Sequence, residues 1–191
     1  MTSSTDISAG DQTTALREVT RPTPQDFDIR IAADGSWYHE GGLIGRPALV
    51  KLFASVLRRE ADGSYWLVTP VERGRITVDD VPFVMVSASF DGIGEAQVIT
   101  LSSNVGDEIT LGDSHELFMR RTDAGEDAKP YVSVRPGLEG RLARPVYYEL
   151  AERSTPGPDG RFGVWSAGRF FALESDLPVS YTHLRAHETL L

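Results

Sequence analysis

Arg46-Pro47-Ala48-Leu49-Val50-Lys51-Leu52 returns later in the chain as Arg144-Pro145-Val146-Tyr147-Tyr148-Glu149-Leu150. Each copy follows an aromatic-led segment with glycines: Trp37-Tyr38-His39-Glu40-Gly41-Gly42 before the first, Tyr131-Val132-Ser133-Val134-Arg135-Pro136-Gly137 before the second. Each precedes an Asp-Gly pair (Asp62-Gly63; Asp159-Gly160) and then a strand-like run (Tyr65 to Thr69; Phe162 to Ser166). A duplicated unit predicts two similar halves and a seam between them, where a ligand is expected.

Working outward, Pro47 suits the first helical position, where its missing N–H costs nothing. Leu49, Leu52, Phe53, Val56 and Leu57 then recur at helical spacing and predict one apolar stripe, with Arg58 and Arg59 at the C-terminal end. Alternating runs predict strands at 27–32 and 36–39, joined at Asp34-Gly35, and at about 64–69, 74–78, 83–89, 96–101, 107–111 and 117–121. Gly125-Glu126-Asp127 reads as a polar break. A strand at 131–134, a short helix at 137–142, a second helix at 145–152 and a closing hairpin, 162–166 with 169–173, complete the pattern. The expected class is α+β, mainly antiparallel with few helices. The expected division is a disordered lead-in at 1–24, a first α+β repeat at 25–103 and a second at 104–178.

Residues 179–191 are set apart from this plan. Val179-Ser180-Tyr181-Thr182-His183-Leu184-Arg185-Ala186-His187-Glu188-Thr189 is identical to a translated sequencing-library adaptor. The expectation is an artefactual tail replacing native residues, and it removes His183 and His187 from any metal argument.

The net charge of −9 argues against a nucleic-acid backbone or an anionic membrane as partner, since both call for a basic stripe. With no cysteine there is no disulfide, thiolate nucleophile or cysteine metal site. A hydrophobic content of 40% suits a globular core. No signal peptide and no apolar run of membrane-spanning length is visible, so a cytoplasmic location is expected.

Eight segments share their order and spacing with a known family. They are Ser36-Trp37-Tyr38-His39-Glu40-Gly41, Ile44-Gly45-Arg46-Pro47, Leu57-Arg58-Arg59-Glu60, Leu67-Val68-Thr69-Pro70-Val71-Glu72, Asn104-Val105-Gly106-Asp107-Glu108, Gly137-Leu138-Glu139, Ala143-Arg144-Pro145-Val146-Tyr147-Tyr148-Glu149-Leu150 and Val164-Trp165-Ser166-Ala167-Gly168-Arg169-Phe170-Phe171. Together they resemble the bacterial family known as domain of unknown function number 1285, over about residues 25–175. The resemblance implies a duplicated core whose second half is superficially pleckstrin-homology-like. It also implies a groove between the halves for a nucleotide-like ligand, and a link to signal transduction. The family carries no established activity.

A helix N-terminus offers unpaired N–H groups and partial positive charge, and an arginine beside it adds a fork for phosphate or carboxylate. Arg46 and Arg144 are therefore candidate anion contacts, one per half, the alternative being local ion pairs. Tyr148 and Trp165 are candidates for stacking on a ring, and Asn104 and Glu72 for directional hydrogen bonds. His39 titrates near neutrality but adjoins Glu40 on a strand, so the two point to opposite faces. Ser166 lacks the leading glycine of a nucleophile elbow, since Val164 stands there. The acidic pairs lack calcium-loop periodicity, and no cofactor fingerprint is present. The expected function is a binding module for an anionic or nucleotide-like small molecule. The alternatives are an enzyme on phosphorylated metabolites using His39 or Asp107, and a protein-interaction platform.

Overall fold

Period-two alternation accounts for most of the elements. In Val98–Ser103, Ile99, Leu101 and Ser103 are buried while their neighbours are half-exposed, which is the signature of a sheet with one covered face. The structure, a computed structural model, describes residues 23–121 and 128–174. The expected lead-in before residue 23, the break at 125–127 and the tail from 179 lie outside the described residues.

The first half contains β1 (Pro24–Ile31), β2 (Trp37–His39), β3 (Gly42–Leu43), α1 (Pro47–Val56), β4 (Leu57–Arg59), β5 (Tyr65–Val68) and β6 (Arg73–Val78). Its sheet order is β3-β2-β1-β6-β5-β4. The second half begins with β7 (Phe83–Asp91), β8 (Val98–Ser103), β9 (Glu108–Thr110), β10 (Leu117–Arg120), β11 (Lys129–Arg135) and β12 (Leu138–Leu142). Its sheet order is β10-β11-β12-β7-β8-β9. The two plans are the same. Each is a pair of three-stranded antiparallel meanders whose first and last strands lie side by side and parallel. The halves are therefore similar, mostly sheet with few helices. A helix α2 (Arg144–Glu152) and a small sheet of β13 (Thr155–Pro156), β14 (Phe162–Ser166) and β15 (Arg169–Ala172) follow the second plan.

The sheets change over between β6 and β7. Strands β7 and β8, placed in the first repeat by the sequence reading, hydrogen-bond within the second sheet. The Arg-Pro echo does not coincide with the structural repeat either. Helix α1 joins the third and fourth strands of its sheet, whereas α2 comes after the sixth strand of the other. Proline near a helix start is favoured wherever a helix begins, so such an echo arises without structural equivalence.

Two local expectations are corrected. The stretch 137–142 is not a helix: Leu138–Leu142 forms strand β12. Pro136-Gly137 makes the turn, with Gly137 at φ +73, and Leu138, Gly140 and Leu142 alternate inward. The helix from Pro47 stops at Val56, and Leu57–Arg59 pairs with β5 as an edge strand. The apolar stripe is correspondingly thinner than its spacing suggests. Leu52 is 59% exposed, and the buried residue of α1 is Ala54. Phe53 anchors the helix by stacking on Trp37, with ring centroids 6.3 Å apart.

One hydrophobic cluster runs through both halves, joining Ile31, Trp37 and Leu57 to Phe83, Leu101 and Leu138, and reaching Val164 and Phe171 of the small sheet. No helix among the described residues is long and apolar enough to cross a membrane.

Ser166 ties the small sheet to the second half from inside the core. It is fully buried, its Oγ–H donates to the Leu111 carbonyl at 2.8 Å, and its Oγ accepts from the Ile99 N–H at 2.9 Å. Ser166→Ala strands both backbone groups. It is expected to lower unfolding free energy by about 1–3 kcal/mol. Urea denaturation checks this, and an unchanged midpoint would remove the bridge from the account.

Candidate functional site

The two halves meet where second-half side chains reach first-half carbonyls. Asn104 Nδ2 donates to the Gly35 carbonyl at 3.0 Å, and its Oδ1 accepts from the Val84 N–H at 3.1 Å. Gly35 has φ +85, and a Cβ built there would lie 2.6 Å from Asn104 Nδ2, so only glycine fits the turn and the close approach together. Arg135 donates to the Ala54 carbonyl at 3.0 Å, pairs with Asp107 at 2.5 Å and lies over the Phe83 ring. Arg141 donates to the Ala33 carbonyl at 2.7 Å.

Beside these contacts lies a groove of about 510 Å³. One wall is the Asn104-Val105-Gly106 loop. The other is the β1–β2 turn with the segment from Leu43 through the first turn of α1. Trp37 lines it, 1% exposed, and its Nε1–H is buried with no acceptor among the described residues. No aspartate or glutamate lines it, although the chain carries a net charge of −9.

Its charged lining residue is Lys51. Helical side chains lean toward the N-terminus, which carries Lys51 back over the start of α1. Its Nζ lies 3.6 Å from the point where a Cβ on Gly106 would sit, so the ammonium faces the opposite wall. That helix start has no side-chain cap. The N–H groups of Leu49 and Val50 both turn to the Arg46 carbonyl, and the Ala48 N–H has no acceptor among the described residues.

The structure separates the residues singled out from the sequence. Asn104 lines the groove, but both ends of its amide are occupied in the seam. Arg46, exposed and without an ion pair among the described residues, occupies the position before α1, between the lining residues Gly45 and Pro47. Arg144, Tyr148 and Trp165 are not brought to this groove. Arg144 and Tyr148 belong to α2, which packs on β7 and β14. Trp165 packs edge-on against Phe170 within the small sheet, and its carbonyl accepts from Gln97. Glu72 is in the exposed β5–β6 turn, where its N–H donates to Thr69 Oγ1. His39 ends β2, exposed, and does not line the groove.

The sequence reading missed Lys51, Trp37 as a groove wall, and the seam arginines Arg135 and Arg141. Lys51 was legible in principle, one turn inside a helix that begins with Arg-Pro. The arginines were not, because their acceptors are backbone carbonyls far away in sequence.

Two family models match the chain: residues 19–81 match "Domain of unknown function (DUF1285), N-terminal domain", and residues 82–173 match "Protein of unknown function (DUF1285), C-terminal domain". The chain belongs to the DUF1285 family. Two solved DUF1285 structures resemble it. One, from Silicibacter pomeroyi DSS-3, is 43% identical with a TM-score of 0.75, over 82% of this chain and 85% of that one. The other, from Shewanella baltica OS155, is 29% identical with a TM-score of 0.52, over 66% of this chain and 92% of that one. A search of curated proteins gives no match. The change between the two DUF1285 models falls at 81/82, where β6 gives way to β7.

That junction is pinned by Asp79 and Asp80. Arg30 pairs with Asp79, and the Tyr131 hydroxyl donates to Asp80 at 3.0 Å with Arg141 nearby at 3.7 Å. Burial, reinforced by the Asp80 charge, pushes the Tyr131 phenol up to about 12. The folded state therefore holds this proton more tightly than the unfolded chain, whose tyrosines titrate near 10.0. The stabilisation is complete below about pH 10 and is lost as pH rises through about 12. Urea midpoints measured from pH 9 to 12 should fall in the parent and fall less steeply in Tyr131→Phe. Equal slopes would reject the coupling.

Proposed function

We propose that the chain is a binding module that holds a small organic anion in the groove between its halves. The observation that carries this reading is a carboxylate-free groove in an acidic protein, with Lys51 and an uncapped helix start on one wall. Partial positive charge at the start of α1, the ammonium of Lys51 and the neighbouring Arg46 all favour an anion there. The Trp37 Nε1–H, buried and without an acceptor among the described residues, adds a donor to the same lining.

Occupancy has a route into the second half, which supports a sensing role. The loop that forms one wall continues into Asp107, Asp107 is held by Arg135, and Arg135 also grips the far end of α1. A ligand that draws Lys51 toward Gly106 acts on both ends of that linkage.

The nucleotide-specific form of the expectation relied on Tyr148 and Trp165 as stacking surfaces, and neither lines the groove. An enzyme on phosphorylated metabolites using His39 or Asp107 has no such support either, since neither lines the groove.

Thermal-shift titration with a panel of organic anions, inorganic phosphate and nucleotides tests the module. A stabilising anion is expected to lose roughly tenfold in affinity in Lys51→Ala, the scale of one charge-assisted contact. Arg46→Ala should weaken it less, and Arg144→Ala should leave it unchanged. A shift that survives Lys51→Ala intact would move the site elsewhere.

A further inference from the structure

The lining of the groove narrows the class of anion, on the reading just given. Its side chains are mainly hydrocarbon: Leu43, Ile44, Val50 and Val105 line it together with Trp37. Leu43 is 64% exposed, a large apolar side chain left to water on the groove wall. Side-chain hydrogen-bonding capacity is sparse. Asn104 already donates one Nδ2–H to Gly35 and accepts from Val84, which leaves Ser36, Lys51, the Trp37 Nε1–H and the second Asn104 N–H as the lining side-chain groups able to offer a polar contact. A nucleotide presents a base edge, a sugar and several negative charges, and each needs directional partners. This groove offers mostly hydrocarbon, with one positively charged side chain, Lys51, in its lining.

We propose that the groove takes an amphiphilic organic anion, a monocarboxylate with an aliphatic body of medium length. The carboxylate sits at the Lys51 ammonium and the Ala48 N–H, at the start of α1. The hydrocarbon body lies along Leu43, Ile44 and Val105, over Trp37. Covering Leu43 and removing the ligand's own methylenes from water drives binding, so affinity follows chain length. The single head-group charge matches the one lysine of the lining. A volume of about 510 Å³ lies within the ordinary range for small-molecule sites.

The test uses the full chain with Trp66→Phe and Trp165→Phe, so that Trp37 is the sole tryptophan and its emission reports on the groove. The probes are hexanoate, octanoate and decanoate below their micelle concentrations, with decanol, ATP and inorganic phosphate alongside. Each added methylene should tighten binding about two- to fourfold. Decanol, with the same body and no charge, should bind at least about tenfold more weakly than decanoate. Lys51→Ala should remove the preference for decanoate over decanol. Leu43→Ser should flatten the chain-length dependence while leaving the charge preference. Both residues are exposed, so folding is not at stake.

ATP or phosphate binding that depends on Lys51, without decanoate binding, overturns the amphiphile assignment and leaves the anion-binding module standing. Decanoate binding that ignores both substitutions also overturns the assignment. No response from any probe overturns the assignment and the module together.

Discussion

Three second-half side chains donate into three first-half backbone carbonyls: Asn104 to Gly35, Arg141 to Ala33 and Arg135 to Ala54. The rest of the architecture depends on this stitching. Hydrophobic burial is non-directional and would join the two sheets in many orientations. Hydrogen bonds to fixed carbonyls select one, and two of the three donors are charged, which makes them the stronger kind. Gly35 carries the tightest constraint, because its turn needs positive φ and its surface must admit Asn104 at contact distance.

The groove is a by-product of that stitching. Asn104 fixes the β1–β2 turn against the loop that carries Val105 and Gly106. Arg135 fixes the far end of α1 against Asp107 at the end of the same loop. Between these two points α1 stays half-exposed, anchored through Phe53 and Ala54 and free of a side-chain cap at its start. A helix buried along its whole length would leave no concavity. One anchored at its inner end leaves its N-terminal turn facing an opposite wall.

The repeat is one of strand plan. Two meanders of three strands, with outer members meeting in parallel at the centre, occur once in each half, and the family models divide where the plan restarts. The two Arg-Pro segments belong to different steps of that plan. Their echo reported correctly that the chain has two similar halves, and it paired residues that are not equivalent. Arg46 adjoins the groove for this reason, and Arg144 does not.

Much of the local structure was legible. The helix start at Pro47, the α2 segment and the alternating strands follow from proline chemistry and period-two burial, which are local properties. The misread segment at 137–142 was legible too, since Pro136-Gly137 is turn chemistry and Leu138, Gly140 and Leu142 alternate. The amino-acid sequence by itself determined the α+β class, the similarity of the halves and the family. Only the tertiary structure decided which residues share a site. Ala33, Gly35 and Ala54 act through carbonyls, which carry no residue signature, and Lys51 faces Gly106 only because the seam brings their two elements together. Local pattern encodes which way a side chain faces along its own element, and the packing of distant elements determines what it meets.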